Sequence, residues 1–355
     1  MSFRLDPLPV SVELETTAVL RQLARSHRTL AELKGAAASI PNETILINTL
    51  ALQEARDSSA LENIITTEDD LFQGDVVSGQ FPNPAAKEVY NYVAALKIGF
   101  HRIRKQGLLR LSDVLEIHAA LIENRAGLRK LPGTVQKSEQ TREIIYTPPQ
   151  DPAEVEMLIG NFLEHFHRDR QGDPDPLVRT AVLHYQFESI HPFYDGNGRT
   201  GRILILLHLV LHGLLDLPVL YLSRYIIRHK VDYYRGLQAV REAGAWEAWL
   251  LYVLQAVEQT ARETLTKVRG IRALMQETKL RLRRDLRKIY SQDLLNNLFE
   301  HPYTKIEFIE RDLGVSRPTA IKYLDALTKT GFVRKAKLGR TNFYINQPLV
   351  DILSN

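Results

Sequence analysis

Residues 177–202 read LVRTAVLHYQFESI-HPFYDGNGRTGR, and the fold turns on how His191 to Arg202 sit within that run. Leu177 to Ile190 carries apolar residues at helical spacing, and a residue before proline is driven out of the α region, so a helix should stop at about His191. A polar, glycine-rich loop follows. Arg202 then leads into Ile203 to Leu215 (ILILLHLVLHGLL). That run is too short to span a bilayer and is interrupted by His208 and His212, which predicts a buried central helix.

Gly196 and Gly198 can take backbone angles that side chains forbid, so successive N–H groups can converge on an anion at the start of the second helix. The positive end of the helix dipole adds to the attraction. Arg199 and Arg202 are three apart and share one face of the first turn, where two guanidinium groups can hold separate phosphates. Asp195 is positioned to hold Mg²⁺ between phosphate oxygens, and Asn197 can support either partner. His191 is the group in this loop that can accept a proton near neutral pH. Singly, each feature has a plain structural reading: a helix end, a turn, a solvated basic face. Together they point to a phosphate site.

From His191 and Phe193 through Asp195, Gly196, Asn197, Gly198 and Arg199 to Arg202, the run resembles the signature of Fic-domain proteins, H-x-F-x-[DE]-G-N-G-R-x-x-R, at every specified position. The resemblance implies a mainly α-helical Fic fold with a small β-hairpin flap, and transfer of AMP from ATP to a protein hydroxyl with release of pyrophosphate. On that basis His191 deprotonates the hydroxyl, Asp195 binds Mg²⁺, and Phe193 anchors the loop. Gly196, Asn197, Gly198, Arg199, Thr200 and Gly201 hold ATP, with Arg202 on its γ-phosphate. Such chemistry asks mainly for in-line positioning and charge neutralisation.

Upstream, Ser58-Ser-Ala-Leu-Glu62-Asn63 resembles the inhibitory-helix motif [ST]-x-x-x-E-[GN] of many Fic proteins. Alone, a serine ahead of a glutamate is equally a helix cap. The resemblance implies that Glu62 pairs with Arg202 and withdraws the arginine that the γ-phosphate needs.

Glu143-Ile144-Ile145-Tyr146, bounded by turn residues, reads as a hairpin strand in an otherwise helical chain, either an edge hairpin over the core or, by resemblance, the flap that holds a target segment as an added strand. Tyr233 of Asp232-Tyr233-Tyr234 resembles an adenine-pocket tyrosine, although paired tyrosines on a helix are commonly core. Some relatives carry an asparagine eight residues after the first tyrosine, where this chain has Arg241.

The 355 residues, 44% hydrophobic, suffice for more than one core. The absence of an apolar leader or a membrane-length run points to a cytoplasmic protein without a membrane partner. There are no cysteines, which excludes disulfides and thiolate chemistry. The net charge of +4 is unevenly distributed: residues 261–355 hold 19 Lys or Arg against 10 Asp or Glu. Residues 261–290 read as a long basic helix linking two domains, most simply a solvated connector.

After a helix at about Gln292 to Glu300, residues 304–327 read as helix, glycine turn at Gly314, helix, with Ser316 as cap and Pro318 in the first turn. Residues 331–345 look like a two-stranded wing with a basic tip. The segment resembles a bacterial winged helix-turn-helix. If it binds DNA, Arg317, Thr319 and Lys322 lie near the start of the recognition helix, and Arg334, Lys335, Lys337 and Arg340 meet phosphates. Such domains also dock proteins or form dimers.

The expected layout is an N-terminal helical region with the inhibitory motif (1–99), a Fic core (100–260), a basic linker helix (261–290) and a winged helix (291–355). ATP with Mg²⁺, and a hydroxyl-bearing protein target, the chain itself included, are the expected partners. A homodimer fits the helical surfaces. Two alternatives stand beside AMP transfer: a nucleotide-responsive DNA-binding regulator, against which the retained His191 speaks, and a de-AMPylating enzyme. Phosphorylating relatives carry a lysine where this chain has Gly198.

Overall fold

The computed structural model describes residues 4–74, 81–137, 143–338 and 341–354. In chain order these form α1 (Thr17–Ala37), α2 (Glu43–Leu61), α3 (Glu68–Gln73), α4 (Pro84–Gln106), α5 (Leu111–Ile122), β1 (Gln136–Lys137), β2 (Ile144–Tyr146), α6 (Pro152–His167), α7 (Pro176–Ile190), α8 (Asn197–Leu211), α9 (Leu222–Arg228) and α10 (Lys230–Ala243). There follow α11 (Trp246–Asp285), α12 (Gln292–Glu300), β3 (Tyr303–Thr304), α13 (Ile306–Leu313), α14 (Arg317–Lys329), β4 (Arg334–Leu338), β5 (Thr341–Ile345) and α15 (Gln347–Ser354). The protein is mainly α, as expected, with two small antiparallel sheets, β1-β2 and β3-β5-β4.

α7 and α8 form the centre. α7 is buried from Leu177 to Ile190 and therefore apolar or internally satisfied all round, as a helix without a solvent face must be. Asp175 caps it by accepting from the Leu177 N–H at 2.8 Å, and Pro176 suits its first turn. It ends at His191, whose φ of 50° is left-handed. The second helix starts at Asn197 rather than Arg202 and stops at Leu211, so it already encloses Arg199 and Arg202. Its Ile203, Leu206, Leu207 and Leu209 are fully buried. Each contributes about 1.5–3 kcal/mol of burial energy. α4 and α5 cover α8, and α6 covers α7.

α2 lies across α4 and α9 and reaches α8. Glu54 fastens it: its carboxylate accepts from the Ser223 N–H at 3.0 Å and from the Ser223 hydroxyl. The basic stretch expected as a solvated connector is the second half of α11, a single 40-residue helix. That length spans about 60 Å. Its Ala261, Leu265, Val268, Ile271, Met275 and Leu282 are buried, and α1, α12 and α15 pack on it, so only one face of it is a solvated helix surface. Even Lys267 is used internally, donating to the Leu353 carbonyl at 2.8 Å.

The C-terminal elements follow the winged-helix order, with α13 and α14 joined through Gly314 at φ 64° and β4 paired to β5 from Arg334↔Ile345 to Leu338↔Thr341. Ser316 stands at the cap position, but its hydroxyl meets the Thr319 hydroxyl at 3.1 Å instead of a backbone N–H. This region grips the N-terminal one. Asn42, the cap of α2, donates to Glu300 of α12, while Tyr303 bonds Asp69 and Ser354 bonds Glu68.

Candidate active site

The loop from His191 to Gly196 is braced from within and from below. Asn197 accepts from the Phe193 N–H at 2.9 Å and returns its own amide N–H to the Phe193 carbonyl at 2.8 Å. Both side-chain atoms of Asn197, expected to face phosphate or metal, are thus spent on the loop, and its backbone N–H at the head of α8 is what it can offer an anion. Phe193 is fully buried and stacks on His118, ring centroids 3.6 Å apart. His118 Nε2 also meets the Asp195 carbonyl at 2.9 Å. Asp195 Oδ1 accepts from the Gly196 N–H at 2.7 Å, and the residue is exposed. Gly196 has φ 73°, and a Cβ there would come within 2.8 Å of Ile122.

Arg202, buried in the first turn of α8, has three bonds to the end of α2. Its Nε donates to the Ser58 hydroxyl at 2.8 Å, and its Nη2 to the Ser58 carbonyl at 2.9 Å and to Glu62 Oε1 at 3.0 Å. Burial works against the Arg202 charge, but Glu62 foremost, then Tyr233, Glu188 and Tyr92, outweigh it and raise its pKa. Burial would likewise raise the Glu62 carboxyl; Arg202, with Arg199 and His191 behind it, holds it below its usual range instead. Asn63 sits at φ 61°, the left-handed position beyond the helix end that favours glycine or asparagine. Ser58 is in the last turn of α2, so it caps no helix start.

A Cβ on Gly198 would run into Glu62 Oε1 and lie 2.9 Å from Arg202 Nη1. The carboxylate therefore occupies the bare patch over the helix start. Arg199 points elsewhere, its Nη1 donating to Glu88 on α4 at 2.8 Å. Thr200 is fully buried, with a hydroxyl that has no partner among the described residues. Behind Gly201, where a Cβ would lie 2.6 Å from Glu188 Oε1, the buried Glu188 is pushed up to about 7 by desolvation, eased by Arg202.

His191 is held by residues that the sequence did not single out. Arg129, 2% exposed, donates through Nε to the His191 carbonyl at 2.8 Å and through Nη2 to the carbonyls of Ile190 and Pro149. Gln136 places its amide nitrogen 3.0 Å from His191 Nδ1. Arg241 lies over the Tyr146 ring at 3.7 Å and reaches Ser189 Oγ and Gln136 Oε1. Burial, followed by the Arg129 charge, lowers the His191 pKa to about 4. The imidazole is neutral at physiological pH, the form a base requires.

β1 and β2 form the predicted hairpin, pairing Gln136 with Tyr146 and Lys137 with Ile144. Glu143 precedes the strand, Ile144 and Ile145 are exposed, and Tyr146 is buried with its hydroxyl on the Ser189 carbonyl at 2.8 Å. An open groove of about 1070 Å³ beside the hairpin is lined by Ile144, Ile145, Met157 and Arg241. Tyr233 is a core ring, buried against Trp249 and Tyr252, with its hydroxyl 2.9 Å from His184 Nε2; Tyr234 is the exposed member of the pair. In the C-terminal region Lys322, Arg334, Lys335 and Lys337 are exposed and Thr319 is half-buried. Arg317 is tied to Glu307 and Glu310, and Arg340 lies outside the described residues.

A helical bundle whose central loop joins a neutral histidine to a glycine-rich helix start with a buried arginine is a protein built to handle a phosphorylated ligand. Residues 108–209 match the Fic/DOC family, residues 20–101 the Fic/DOC family N-terminal region, and residues 274–349 the C-terminal domain described as protein adenylyltransferase SoFic-like. The chain belongs to the Fic/DOC family. It is 28% identical over 177 residues to the protein adenylyltransferase Fic of Aedes aegypti, covering 49% of this chain and 33% of that protein. To its namesake in Culex quinquefasciatus it is 29% identical over 177 residues, with the same coverage, 49% and 33%. The matched part is thus about a third of the length of these curated relatives. A Fic family protein from Desulfovibrio desulfuricans G20 superposes with a TM-score of 0.57 at 20% identity, over 96% of this chain and 98% of that one. Fic-1 from C. elegans does so with a TM-score of 0.52 at 20% identity, over 70% and 74%. At that identity the likeness speaks for the fold.

Proposed function

We propose that this protein transfers AMP from ATP to a serine, threonine or tyrosine hydroxyl of a protein, itself included, releasing pyrophosphate, and that Glu62 holds it inactive. The observation that carries this reading is the triple hold of Ser58 and Glu62 on Arg202 at the head of α8, beside a neutral His191. Arg202 is the cation that a γ-phosphate would need, and the Glu62 carboxylate sits where Gly198 leaves room for phosphate. Inhibition is therefore both electrostatic and steric. When Glu62 withdraws, Arg202 and the N–H groups from Gly196 to Arg199 receive the triphosphate, and His191 takes the proton of the attacking hydroxyl.

The exposed carboxylate of Asp195, anchored through one oxygen to the Gly196 N–H, suits a hard cation such as Mg²⁺. Bound there, the ion supplies charge neutralisation on the phosphates. The hairpin β1-β2, with Ile144 and Ile145 exposed, suits a target segment added as a further strand.

Intact mass spectrometry after incubation with ATP and Mg²⁺ tests the proposal. Wild type should gain little, Glu62→Gly should gain AMP, and Glu62→Gly/His191→Ala should gain none. A folded Glu62→Gly protein without added AMP, alone or with cell extract as target, rejects the function, and label retained without His191 rejects the base.

A second reading concerns the C-terminal region, where exposed Lys322, Arg334, Lys335 and Lys337 are compatible with a DNA backbone. Titration of a labelled duplex tests it through the salt dependence of binding.

A further inference from the structure

His191 is contacted at a point remote from Glu62. Its Nδ1 lies 3.0 Å from the amide nitrogen of Gln136 on β1, and the amide oxygen of the same side chain lies 3.5 Å from Nη1 of Arg241 on α10. Arg241 is itself fixed, stacked at 3.7 Å over the Tyr146 ring and within 3.4 Å of Ser189 Oγ through both Nε and Nη2.

A guanidinium has donors alone, and an amide side chain presents its acceptor on one side and its donors on the other. Beside Arg241 the acceptor of Gln136 must face the guanidinium, which turns the NH₂ group toward His191; the reverse orientation would set donor against donor. Nδ1 must then accept. A neutral imidazole has one lone-pair nitrogen and one N–H, so its proton resides on Nε2. With Nδ1 taken by Gln136, Nε2 is the nitrogen left for a substrate hydroxyl, and in this tautomer it has no lone pair with which to take a proton.

We infer that Gln136, oriented by Arg241, is a positioning residue that parks the proton of neutral His191 on Nε2 and keeps the base idle until a target segment docked on the hairpin turns Gln136 away, an inference that rests on His191 being the base of the proposed transfer. When Gln136 turns, the ring proton moves to Nδ1, where a carbonyl oxygen, that of the Glu188 backbone or of the turned amide, accepts it. Nε2 then receives the hydroxyl proton and the ring becomes imidazolium. This brake is separate from the Glu62 contact, because it acts on the base and not on the phosphate site. It also makes activity depend on the target that reaches β1, which guards against transfer to water.

Ring-nitrogen NMR of the full chain carrying isotope-labelled histidine tests this near neutral pH, the His191 signals being identified by their loss in His191→Ala. In wild type Nδ1 should give the lone-pair signal and Nε2 the N–H signal. Gln136→Glu keeps the shape but offers acceptors alone, and should reverse the two signals; Arg241→Met, which frees the amide to turn, should shift part of the population. A wild-type ring already protonated on Nδ1, or a ring indifferent to Gln136→Glu, overturns the inference. In a Glu62→Gly background, Gln136→Glu should raise kcat for AMP transfer several-fold with KM for ATP unchanged, and an unchanged or lower kcat counts against it. If no variant transfers AMP, the proposed function has failed, while the NMR result still decides where the proton sits.

Discussion

Ser58 accepts two hydrogen bonds from one arginine, Arg202, through its hydroxyl and its backbone carbonyl. The second acceptor exists because α2 ends there. The N–H of Glu62 turns to the Ser59 carbonyl at 3.0 Å, leaving the Ser58 carbonyl without its helical partner and free for a guanidinium. The end of the helix and the neutralised arginine are one construction.

Ser58→Ala removes the hydroxyl and leaves the carbonyl and Glu62 in place. A buried charged donor loses its partner, which costs about 1–3 kcal/mol. Thermal unfolding should register that loss. AMP transfer should rise, but less than in Glu62→Gly, because the carboxylate still covers Gly198; a rise as large as that of Glu62→Gly would assign the inhibition to the serine.

Gly198→Ala puts a methyl against Glu62 Oε1 and Arg202 Nη1. The same methyl intrudes where phosphate is expected. Calorimetric titration of Gly198→Ala/Glu62→Gly with ATP should therefore show weaker binding than Glu62→Gly alone, by about tenfold or more, equal to about 1.4 kcal/mol. Equal affinities would remove Gly198 from the phosphate site.

Arg129→Met deletes the cation that collects the carbonyls of Pro149, Ile190 and His191. Buried carbonyls left without donors cost about 1–3 kcal/mol each. The left-handed His191 then loses its clamp. The expected outcome is a melting temperature several degrees lower and transfer reduced even with Glu62→Gly, measured by circular dichroism and by mass. A stable variant with undiminished transfer would contradict the clamp.

Glu54 predicts a pH dependence of stability. Desolvation, partly offset by Ser223, raises its carboxyl from 4.5 to about 8. A group whose folded pKa is raised stabilises fully below its unfolded value and loses that contribution as pH climbs through the folded one. Stability should thus fall between about pH 4.5 and 8, by at most about 1.4 kcal/mol per pH unit. Glu54→Gln should flatten the melting curve over that window, as followed by urea titration at several pH values.

Much of this was legible in the sequence. The helix ending at His191, the helix from Gln292 to Glu300, the hairpin at Ile144 to Tyr146 and the partnership of Glu62 with Arg202 all follow from local spacing or from a motif whose members lie close together. Arg129, Gln136 and Arg241 were not legible. They meet the loop across 62, 55 and 52 residues of chain, and each acts on a backbone group or ring that has no periodicity to betray it. The burial of α11 was missed for a related reason: its arginines and lysines stripe one face, and a count of charges does not see that Ile271, Met275 and Leu282 stripe the other. Asn197 was read as a ligand because its position in the motif is polar, whereas its amide is consumed in closing the loop.

α11 also bears on how the molecule comes apart. The helix is one rod from Trp246 to Asp285, with the bundle around α7 seated on its first half and α12 and α15 on its second. No seam divides it, and Lys267 and Met275 are already clasped by what lies beyond. Melting the C-terminal elements alone would strip apolar surface from a helix the centre still needs, so the two ends share a single cooperative fate, and heat should take them together.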